Sequence, residues 1–212
     1  MDDQRTAVFI NSLDKGIEPF LEEVYKEAVS SFVPVIRKET QSFLKTILKI
    51  KKPSRILEVG TAIGFSAMLM AQNTGAECRI TTIENYAKRI PTARENFRKY
   101  GFADRIELIE GDAAEILKTL DGPFDLIFMD AAKGQYIYYL DDVKRLLEKG
   151  GILISDNVLQ GGEVLESHYI VERRDRTIHK RMREYLYALK HDEQLETSVI
   201  PLGDGVTLSV KL

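Results

Sequence analysis

The stretch RILEVGTAIGFSAMLMAQN, residues 55–73, indicates the architecture of the chain. Its first six residues form a short apolar run that ends in a glycine, which is typical of a buried strand, and its last nine form a helical segment. A short apolar strand that precedes a helix recurs at CRITTIE, RIELIEGD, FDLIFMD and GILISD. Five such strands separated by helices predict a parallel sheet with helices on both faces.

The two ends of the chain differ from this pattern. Residues 3–49 repeat apolar side chains at helical spacing, so residues 1–52 are expected to form a helical N-terminal cap. SVIPLGDGVTLSVKL, residues 198–212, is expected to form two antiparallel strands that turn at residues 203–205. The predicted fold is an α/β, doubly wound, mostly parallel seven-stranded sheet with an antiparallel C-terminal hairpin. It is expected to be a single domain whose α/β core covers residues 53–212.

Composition excludes several classes of protein. The chain has 212 residues and a net charge of −3, so its bulk charge favours no polyanionic partner and any basic surface must be local. The single cysteine, Cys78, rules out a disulfide framework and is expected to be buried and structural. No apolar run approaches the roughly 20 residues of a membrane span, and the first residues lack the apolar core of a signal peptide. We therefore expect a cytoplasmic protein that does not enter a membrane.

Gly60 and Gly64 follow the first strand, where doubly wound folds place a nucleotide-binding loop. Their spacing, G-x-x-x-G, differs from the G-x-G-x-x-G of dinucleotide sites. Glu58 at the strand tip would repel a pyrophosphate, but it suits an ammonium group such as that of S-adenosylmethionine (SAM). Ser66 at the helix start can offer its hydroxyl and backbone N–H to the carboxylate of that ligand. The alternative is that both glycines only permit a tight turn.

The next two strands also end in polar groups. Glu84 ends the second strand, where such folds place an acid that binds a ribose diol. Asp112 follows the third strand and could bind an adenine amino group, with the backbone of Ala113 at the ring edge. Each acid could instead be a helix N-cap, and this alternative is strongest for Asp112. Three successive strand ends with suitable groups favour an adenosyl ligand.

Oxygen ligands follow the fourth and fifth strands. Asp130 ends the fourth strand, and Asp156 and Asn157 end the fifth. Consecutive strands usually lie side by side, so these groups should meet at one edge of the sheet. Two carboxylates and a carboxamide without histidine or cysteine suit Mg²⁺. The alternative is that both aspartates cap the following loop and helix.

Lys133 lies three residues after Asp130. Beside a divalent ion and partly desolvated, its amine should lose a proton more easily and could act as a general base. The alternative is a surface lysine at a helix start, where the helix dipole disfavours a cation.

Six stretches resemble the metal-dependent O-methyltransferases of the catechol and caffeoyl-CoA type, namely ILEVGTAIGFSAM, TIENYAKR, IEGDA, FDLIFMDAAKGQYIYYL, GGILISDNVL and PLGDGVTLSVKL. The resemblance implies a Rossmann-like methyltransferase domain with SAM and Mg²⁺ as cofactors. Together with the exposed apolar positions expected in the N-terminal helices, it also implies a homodimer. It implies Asp130, Asp156 and Asn157 as metal ligands and Lys133 as the base. The cofactor positions that it implies are Val35, Gly60, Thr61, Ser66, Glu84, Ala113 and Asp130, with Gln41 on a covering helix.

A basic segment follows the fifth strand. Between residues 172 and 183 six basic side chains face two acidic ones, a local charge of +4. A clustered arginine surface beside a catalytic mouth fits contacts to the phosphates of a polynucleotide. A solvated helix face is the alternative. The candidate RNA contacts are Arg37, Lys38, Arg173, Arg174 and Arg181.

The whole sequence also resembles the bacterial tRNA 5-hydroxyuridine methyltransferases of this family. That resemblance implies methylation of the 5-hydroxyl of the wobble uridine, to form 5-methoxyuridine, and a tRNA anticodon region as partner. The anticodon loop is single-stranded, so its base can enter a pocket. Two alternatives remain open: an O-methyltransferase of a small catechol-like or CoA-linked phenolic metabolite, and a ligand-binding module without catalysis. The complete set of metal ligands and base argues against the second.

Overall fold

The computed structural model describes residues 3–167 and 169–212 as a sheet between two layers of helices. The helices are α1 (Asp3–Ser12), α2 (Pro19–Ser30), α3 (Lys38–Lys51), α4 (Phe65–Gln72), α5 (Ile90–Lys99), α6 (Ala113–Thr119), α7 (Tyr136–Leu146) and α8 (Arg176–His191). The strands are β1 (Arg55–Val59), β2 (Arg79–Glu84), β3 (Ile106–Glu110), β4 (Phe124–Met129), β5 (Leu147–Asp156), β6 (Leu195–Ile200) and β7 (Val206–Lys211).

The seven strands form one sheet in the order β3-β2-β1-β4-β5-β7-β6. Strands β1 to β5 pair in parallel, and β7 pairs antiparallel with both β5 and β6. The predicted sheet and its C-terminal hairpin are therefore confirmed. From β1, strands β2 and β3 are added on one side of the sheet, and β4 and β5 are added on the other, so the strand order reverses between β1 and β4. Ligands of doubly wound sheets bind at such a point, outside the carboxyl ends of the strands.

Strand β4 shows why the sheet is covered on both faces. Leu126 and Phe128 are fully buried in the core on one face, and Ile127 and Met129 are fully buried in the core on the other. Because successive strand residues point to opposite faces, an unbroken apolar run requires a helix layer on each side. The polar side chain that follows, Asp130, therefore emerges at the edge of the sheet.

The N-terminal helices form the predicted cap. Leu21 of α2 and Leu44 of α3 are fully buried in the core that also contains the apolar face of α4. Helix α1 differs, because it leaves large apolar side chains in contact with solvent. These exposed residues are Val8, Phe9 and Ile10, with Leu13 just after the helix.

The structure also bears on two expectations from composition, a buried cysteine and the absence of a membrane-spanning helix. Cys78 is buried, with 2% of its surface exposed, and belongs to the core, as expected. Within residues 3–167 and 169–212, none of the helices combines the length and the apolar character that crossing a bilayer requires.

Candidate active site

A cavity of about 500 Å³ opens at the carboxyl ends of β1 to β4. The loops after these four strands form its floor, and residues 34–37, between α2 and α3, form part of its rim. Most of the predicted cofactor and catalytic positions line this cavity. They are Val35, Gly60, Thr61, Ser66, Glu84, Ala113, Asp130, Lys133 and Asn157. Gln41 is buried beside it and donates from Nε2 to the carbonyl of Ile36 at 2.9 Å.

The loop after β1 needs glycine at two positions. Gly60 has a φ of +104°, and a Cβ there would lie 2.1 Å from the backbone oxygen of Asp130. Gly64 has a φ of +89°, and its Cβ would lie 2.4 Å from the ring of Phe97. Both positions therefore exclude a side chain for steric reasons. Gly60 lets the loops after β1 and β4 approach each other, which brings Asp130 to the cavity.

Three backbone groups hold Glu84 at the tip of β2. Its Oε2 accepts from the N–H of Ala62 at 2.8 Å, and its Oε1 accepts from the N–H groups of Asn85 and Tyr86 at 3.0 and 2.8 Å. The carboxylate is therefore fixed at the cavity wall in one orientation. The binding of a ribose diol by Glu84 stays a prediction.

Glu58 and Asp112, which were expected to contact the cofactor, do not line the cavity. Glu58 is fully buried behind the cavity and is absent from its lining. Asp112 is exposed and caps α6, where its Oδ1 accepts from the N–H of Ala114 at 2.9 Å. Gly111 and Ala113 line the cavity on either side of it. The N-cap that the alternative predicted is present, and the contact of Asp112 with an adenine amino group stays a prediction.

Asp130, Asp156 and Asn157 meet at the edge of the sheet, because β4 and β5 are neighbours. Asn157 donates from its backbone N–H to Asp156 Oδ1 at 2.8 Å and from Nδ2 to Asp130 Oδ1 at 3.0 Å. The φ of Asn157 is +60°, a left-handed conformation that asparagine tolerates better than most residues. The predicted juxtaposition of these three side chains is present.

Tyr136 supports this edge, and sequence reasoning missed it. Its buried hydroxyl lies 3.1 Å from the carbonyl of Met129 and 3.2 Å from the carbonyl of Asp156, and it accepts from the N–H of Ala131 at 3.2 Å. One phenol therefore joins the end of β4 to the end of β5. The only signal in the sequence was a tyrosine among the aromatic residues that open α7.

The electrostatics of this edge favour a cation. Burial and the nearby charge of Asp130 raise the pKa of Asp156 to about 7, and burial raises the pKa of Asp130 although Lys133 opposes the change. Two buried carboxylates in mutual repulsion are stabilised by a divalent ion. The part of the chain that the structure describes holds no cluster of three or more Asp, Glu, His or Cys residues suited to a metal. The oxygen groups that the structure places at this edge are two carboxylates and one carboxamide.

The rim of the cavity contains an ion pair that joins the N-terminal segment to the C-terminal hairpin. Arg37 Nη2 lies 2.7 Å from Asp204 Oδ1, and both residues line the cavity. The backbone of the hairpin turn is fixed beside the loop after β5, since Leu159 donates to the carbonyl of Asp204 at 2.8 Å. Lys38, the neighbouring candidate, is exposed at the start of α3.

Most arginines of the basic segment bind the protein itself. Arg176 and Arg183 donate to backbone carbonyls of the connection between β5 and α8. Arg181 donates to the carbonyl of Gly134 at 3.2 Å and lies 5.0 Å from the ring centre of Tyr138. Part of the Arg181 guanidinium is therefore used within the fold, and its contact with a phosphate stays a prediction. Arg173 and Arg174 remain exposed, and Arg174 pairs with acidic neighbours in the same turn.

Comparison with known proteins adds to this geometry. A family model described as O-methyltransferase matches residues 12–212. The chain belongs to the O-methyltransferase family. A catechol O-methyltransferase of Mycobacterium tuberculosis is 35% identical over 160 residues, which is 74% of this chain and 73% of the relative. Caffeoyl-CoA O-methyltransferase 1 of Eucalyptus globulus is 32% identical over 182 residues, 78% of this chain and 70% of the relative.

A solved structure shares the whole fold. The SAH-bound methyltransferase PaMTH1 of Podospora anserina superposes with a TM-score of 0.89 at 30% identity, over 99% of this chain and 95% of that one. The chain is a SAM-dependent O-methyltransferase with a Rossmann-like fold. The cavity of this methyltransferase is lined by residues at the ends of β1 to β3 on one side and by Asp130 and Asn157, at the ends of β4 and β5, on the other.

Proposed function

We propose that this methyltransferase acts on a hydroxyl that neighbours a second oxygen, with Mg²⁺ held by Asp130, Asp156 and Asn157. The observation that carries the proposal is the pair of carboxylates at the ends of adjacent strands. Half-buried Asp130 lines the cavity, as Glu84 does, and Asp156 is buried beside it. A divalent ion bound there would supply positive charge that lowers the pKa of an acceptor hydroxyl. A vicinal pair of oxygens matches such a site because Mg²⁺ leaves positions open for ligand oxygens.

Lys133 is the residue that we propose accepts the proton of the acceptor. It lines the cavity and lies near enough to both carboxylates to stabilise their charged forms. With a divalent ion neutralising the carboxylates, the neutral amine of Lys133 would take the hydroxyl proton as the oxygen bonds to the methyl carbon and the sulfonium of SAM becomes a neutral thioether. The short 3-10 turn Lys133–Gln135 that starts at this lysine is held by Arg181 through the carbonyl of Gly134.

The first candidate acceptor is a small phenol with adjacent oxygens, either catechol-like or linked to CoA. Similarity to a catechol O-methyltransferase and to a caffeoyl-CoA O-methyltransferase supports this candidate. The cavity of about 500 Å³ has the size of a site for small molecules.

The second candidate is the 5-hydroxyuridine of a tRNA anticodon, in which the 5-oxygen and O4 are also adjacent. The observation that favours it is the exposure of Arg173 and Arg174 on the connection that follows Asn157. Among the described residues, these two side chains, unlike that of Arg181, make no hydrogen bond outside their own turn. Lys38 and the rim residue Arg37 would add to the contact.

One experiment separates these candidates. Transfer of labelled methyl from SAM is measured with catechol, a CoA-linked phenol, tRNA that carries 5-hydroxyuridine and tRNA that lacks it. Turnover of the phenols alone supports the first candidate, and turnover only of the hydroxylated tRNA supports the second.

If tRNA is the acceptor, a second experiment tests the arginines. Joint replacement of Arg173 and Arg174 by Ala should reduce the slope of the log binding constant against log salt concentration by about 0.7–0.9 per lost phosphate contact. Lys118→Ala, at an exposed lysine on α6, is the matched control.

We also propose that the enzyme is a homodimer. The exposed apolar side chains of α1, which include Val8 and Phe9, offer a surface that a second copy could cover. Light scattering should give about twice the mass of one chain. Phe9→Glu should then shift the mass toward the monomer, and a wild-type mass of one chain would rule the proposal out.

A further inference from the structure

A single buried hydroxyl holds the backbone on both sides of Asp130. The carbonyl of Met129, which lies 3.1 Å from the Tyr136 hydroxyl, belongs to the peptide group that precedes Asp130. The N–H of Ala131 belongs to the peptide group that follows Asp130, and it donates to the same hydroxyl at 3.2 Å. Because both peptide groups are anchored, the direction in which the backbone presents the Asp130 carboxylate is fixed.

The same hydroxyl reaches the backbone of the other two proposed metal ligands. The carbonyl of Asp156 lies 3.2 Å from the Tyr136 hydroxyl and belongs to the peptide group that joins Asp156 to Asn157. The N–H of that peptide group donates to Asp156 Oδ1 at 2.8 Å, so the group is held at both ends. The φ of Asn157 is +60°, and such a left-handed conformation persists only where its surroundings enforce it. Tyr136 is part of those surroundings.

Tyr136 itself is fixed by the core and does not face the cavity. Its side chain is fully buried and is absent from the residues that line the cavity. Its ring packs edge-on against the ring of Tyr185, with the two ring centres 5.5 Å apart. Tyr185 is also fully buried, and its hydroxyl lies 2.6 Å from the hydroxyl of Ser155. From this position Tyr136 can act on a bound cation only through the peptide groups that it holds.

We propose that Tyr136 is a positioning residue, which sets the distance and orientation of the Asp130 and Asp156 carboxylates for a small cation such as Mg²⁺ and so favours Mg²⁺ over Ca²⁺. This inference rests on the proposed function, in which these residues hold Mg²⁺. Mg²⁺ requires oxygen ligands at about 2.0–2.1 Å in nearly ideal octahedral geometry, whereas Ca²⁺ accepts about 2.3–2.6 Å and flexible geometry. Release of the two strand ends should therefore weaken Mg²⁺ binding far more than Ca²⁺ binding.

The test removes the hydroxyl and keeps the buried ring. Titration calorimetry on metal-stripped protein gives the Kd values of Mg²⁺ and Ca²⁺ for the wild type and for Tyr136→Phe. The Kd of Mg²⁺ should rise by about tenfold or more in the variant, the scale of losing a group that orients metal ligands, while the Kd of Ca²⁺ changes by less than about threefold. A purely structural role of Tyr136 would weaken both ions alike, and an unchanged ratio of the two Kd values would overturn the proposal.

Tyr185→Phe is the matched control. It also removes a phenol hydroxyl from the buried core, but among the described residues that hydroxyl bonds to the side chain of Ser155 and to no peptide group of a proposed ligand. It should lower the stability in urea unfolding and leave the ratio of the two Kd values unchanged. A change in the ratio as large as that of Tyr136→Phe would contradict the specific role of Tyr136.

Two measurements on the wild type complete the test. In hydrogen exchange of the metal-free protein, the amide of Ala131 should exchange slowly, because it is bonded to the buried phenol. Exchange at the rate of an open loop would contradict the anchoring of this peptide group even if Tyr136→Phe does not fold. Failure of the wild type to bind Mg²⁺ would refute the proposed function, whereas wild-type binding that Tyr136→Phe leaves intact would refute this inference alone.

Discussion

Asp156→Asn should make the metal-free protein more stable while it removes activity. Asp156 is 2% exposed, and burial together with the charge of Asp130 disfavours its ionised form. The difference between the ordinary pKa of 3.8 and the value of about 7 in the fold corresponds to an upper limit of roughly 4 kcal/mol. Asparagine keeps an oxygen that can accept from the N–H of Asn157, and it carries no charge.

The sign of the pH dependence follows from linkage. The folded state holds the proton of Asp156 more tightly than the unfolded state does, so the folded protein loses stability as the pH rises from about 4 to about 7. The stability advantage of Asp156→Asn should therefore be absent near pH 4, grow through this window and level off above pH 7. A gain of 2 kcal/mol would raise the Tm by about 4–8 °C in a chain of this length.

The assay is thermal or urea unfolding of chelator-treated protein between pH 4 and 8. Asp125→Asn is the control, because burial of Asp125 raises its pKa but hydrogen bonds from Arg55 and Ser54 outweigh burial and lower it. That substitution should destabilise the protein at pH 8. Addition of Mg²⁺ at 100 times its Kd should stabilise the wild type and Asp125→Asn by about 2.7 kcal/mol, but not Asp156→Asn. The reasoning fails if Asp156→Asn lowers stability at pH 8 without metal, or if Mg²⁺ stabilises it as much as the wild type.

Two further substitutions test the supports of the site. Gly60→Ala should cost about 1–3 kcal/mol in urea unfolding, because the new Cβ meets the backbone of Asp130 at a positive φ, and a neutral result would contradict the close approach of the two loops. Arg181→Ala should lower kcat with a small phenol severalfold and leave the Kd for S-adenosylhomocysteine unchanged, because Arg181 holds the turn of Lys133. Selective loss of tRNA binding with normal phenol turnover would instead return Arg181 to the role of a phosphate contact.

The sequence predicted the features that depend on strand order and strand ends. An apolar run followed by a polar residue fixes where a buried strand stops, and the adjacency of consecutive strands then placed Asp130 beside Asp156 and Asn157. The same reasoning placed Glu84 at the cavity wall. These inferences need only periodicity and connection rules, which are local properties of the chain.

The side of the sheet that a residue faces was harder to predict. Glu58 was read as a strand tip, but it faces the same core as Ile56, two residues earlier, and pairs in register with Thr82. Polar residues at matching positions of β1 and β2 were the available signal. Such a pair of polar residues can be recognised only when the register between the two strands is known.

The basic segment shows the limit of charge counting. Arg176 and Arg183 bind carbonyls of an irregular connection, and the path of that connection over α8 is not encoded in a local pattern. The segment does carry the net positive charge counted from the sequence, but several of its arginines donate to backbone carbonyls of the protein itself. Arg173 and Arg174 are exposed and do not hold the backbone of the connection in this way, so they remain the candidates for a polyanionic partner.

The most direct test of the central claim is methyl transfer from SAM by chelator-stripped and Mg²⁺-reloaded enzyme, with acceptors that differ in the position of the second oxygen. Catechol is compared with resorcinol, and tRNA that carries 5-hydroxyuridine is included as the other candidate acceptor, with tRNA that carries uridine as the control without an acceptor hydroxyl. We expect transfer to an acceptor with adjacent oxygens only, its loss on chelation and its return with Mg²⁺. Equal transfer to the acceptors without adjacent oxygens, or full activity in the presence of the chelator, would contradict the role assigned to Asp130, Asp156 and Asn157.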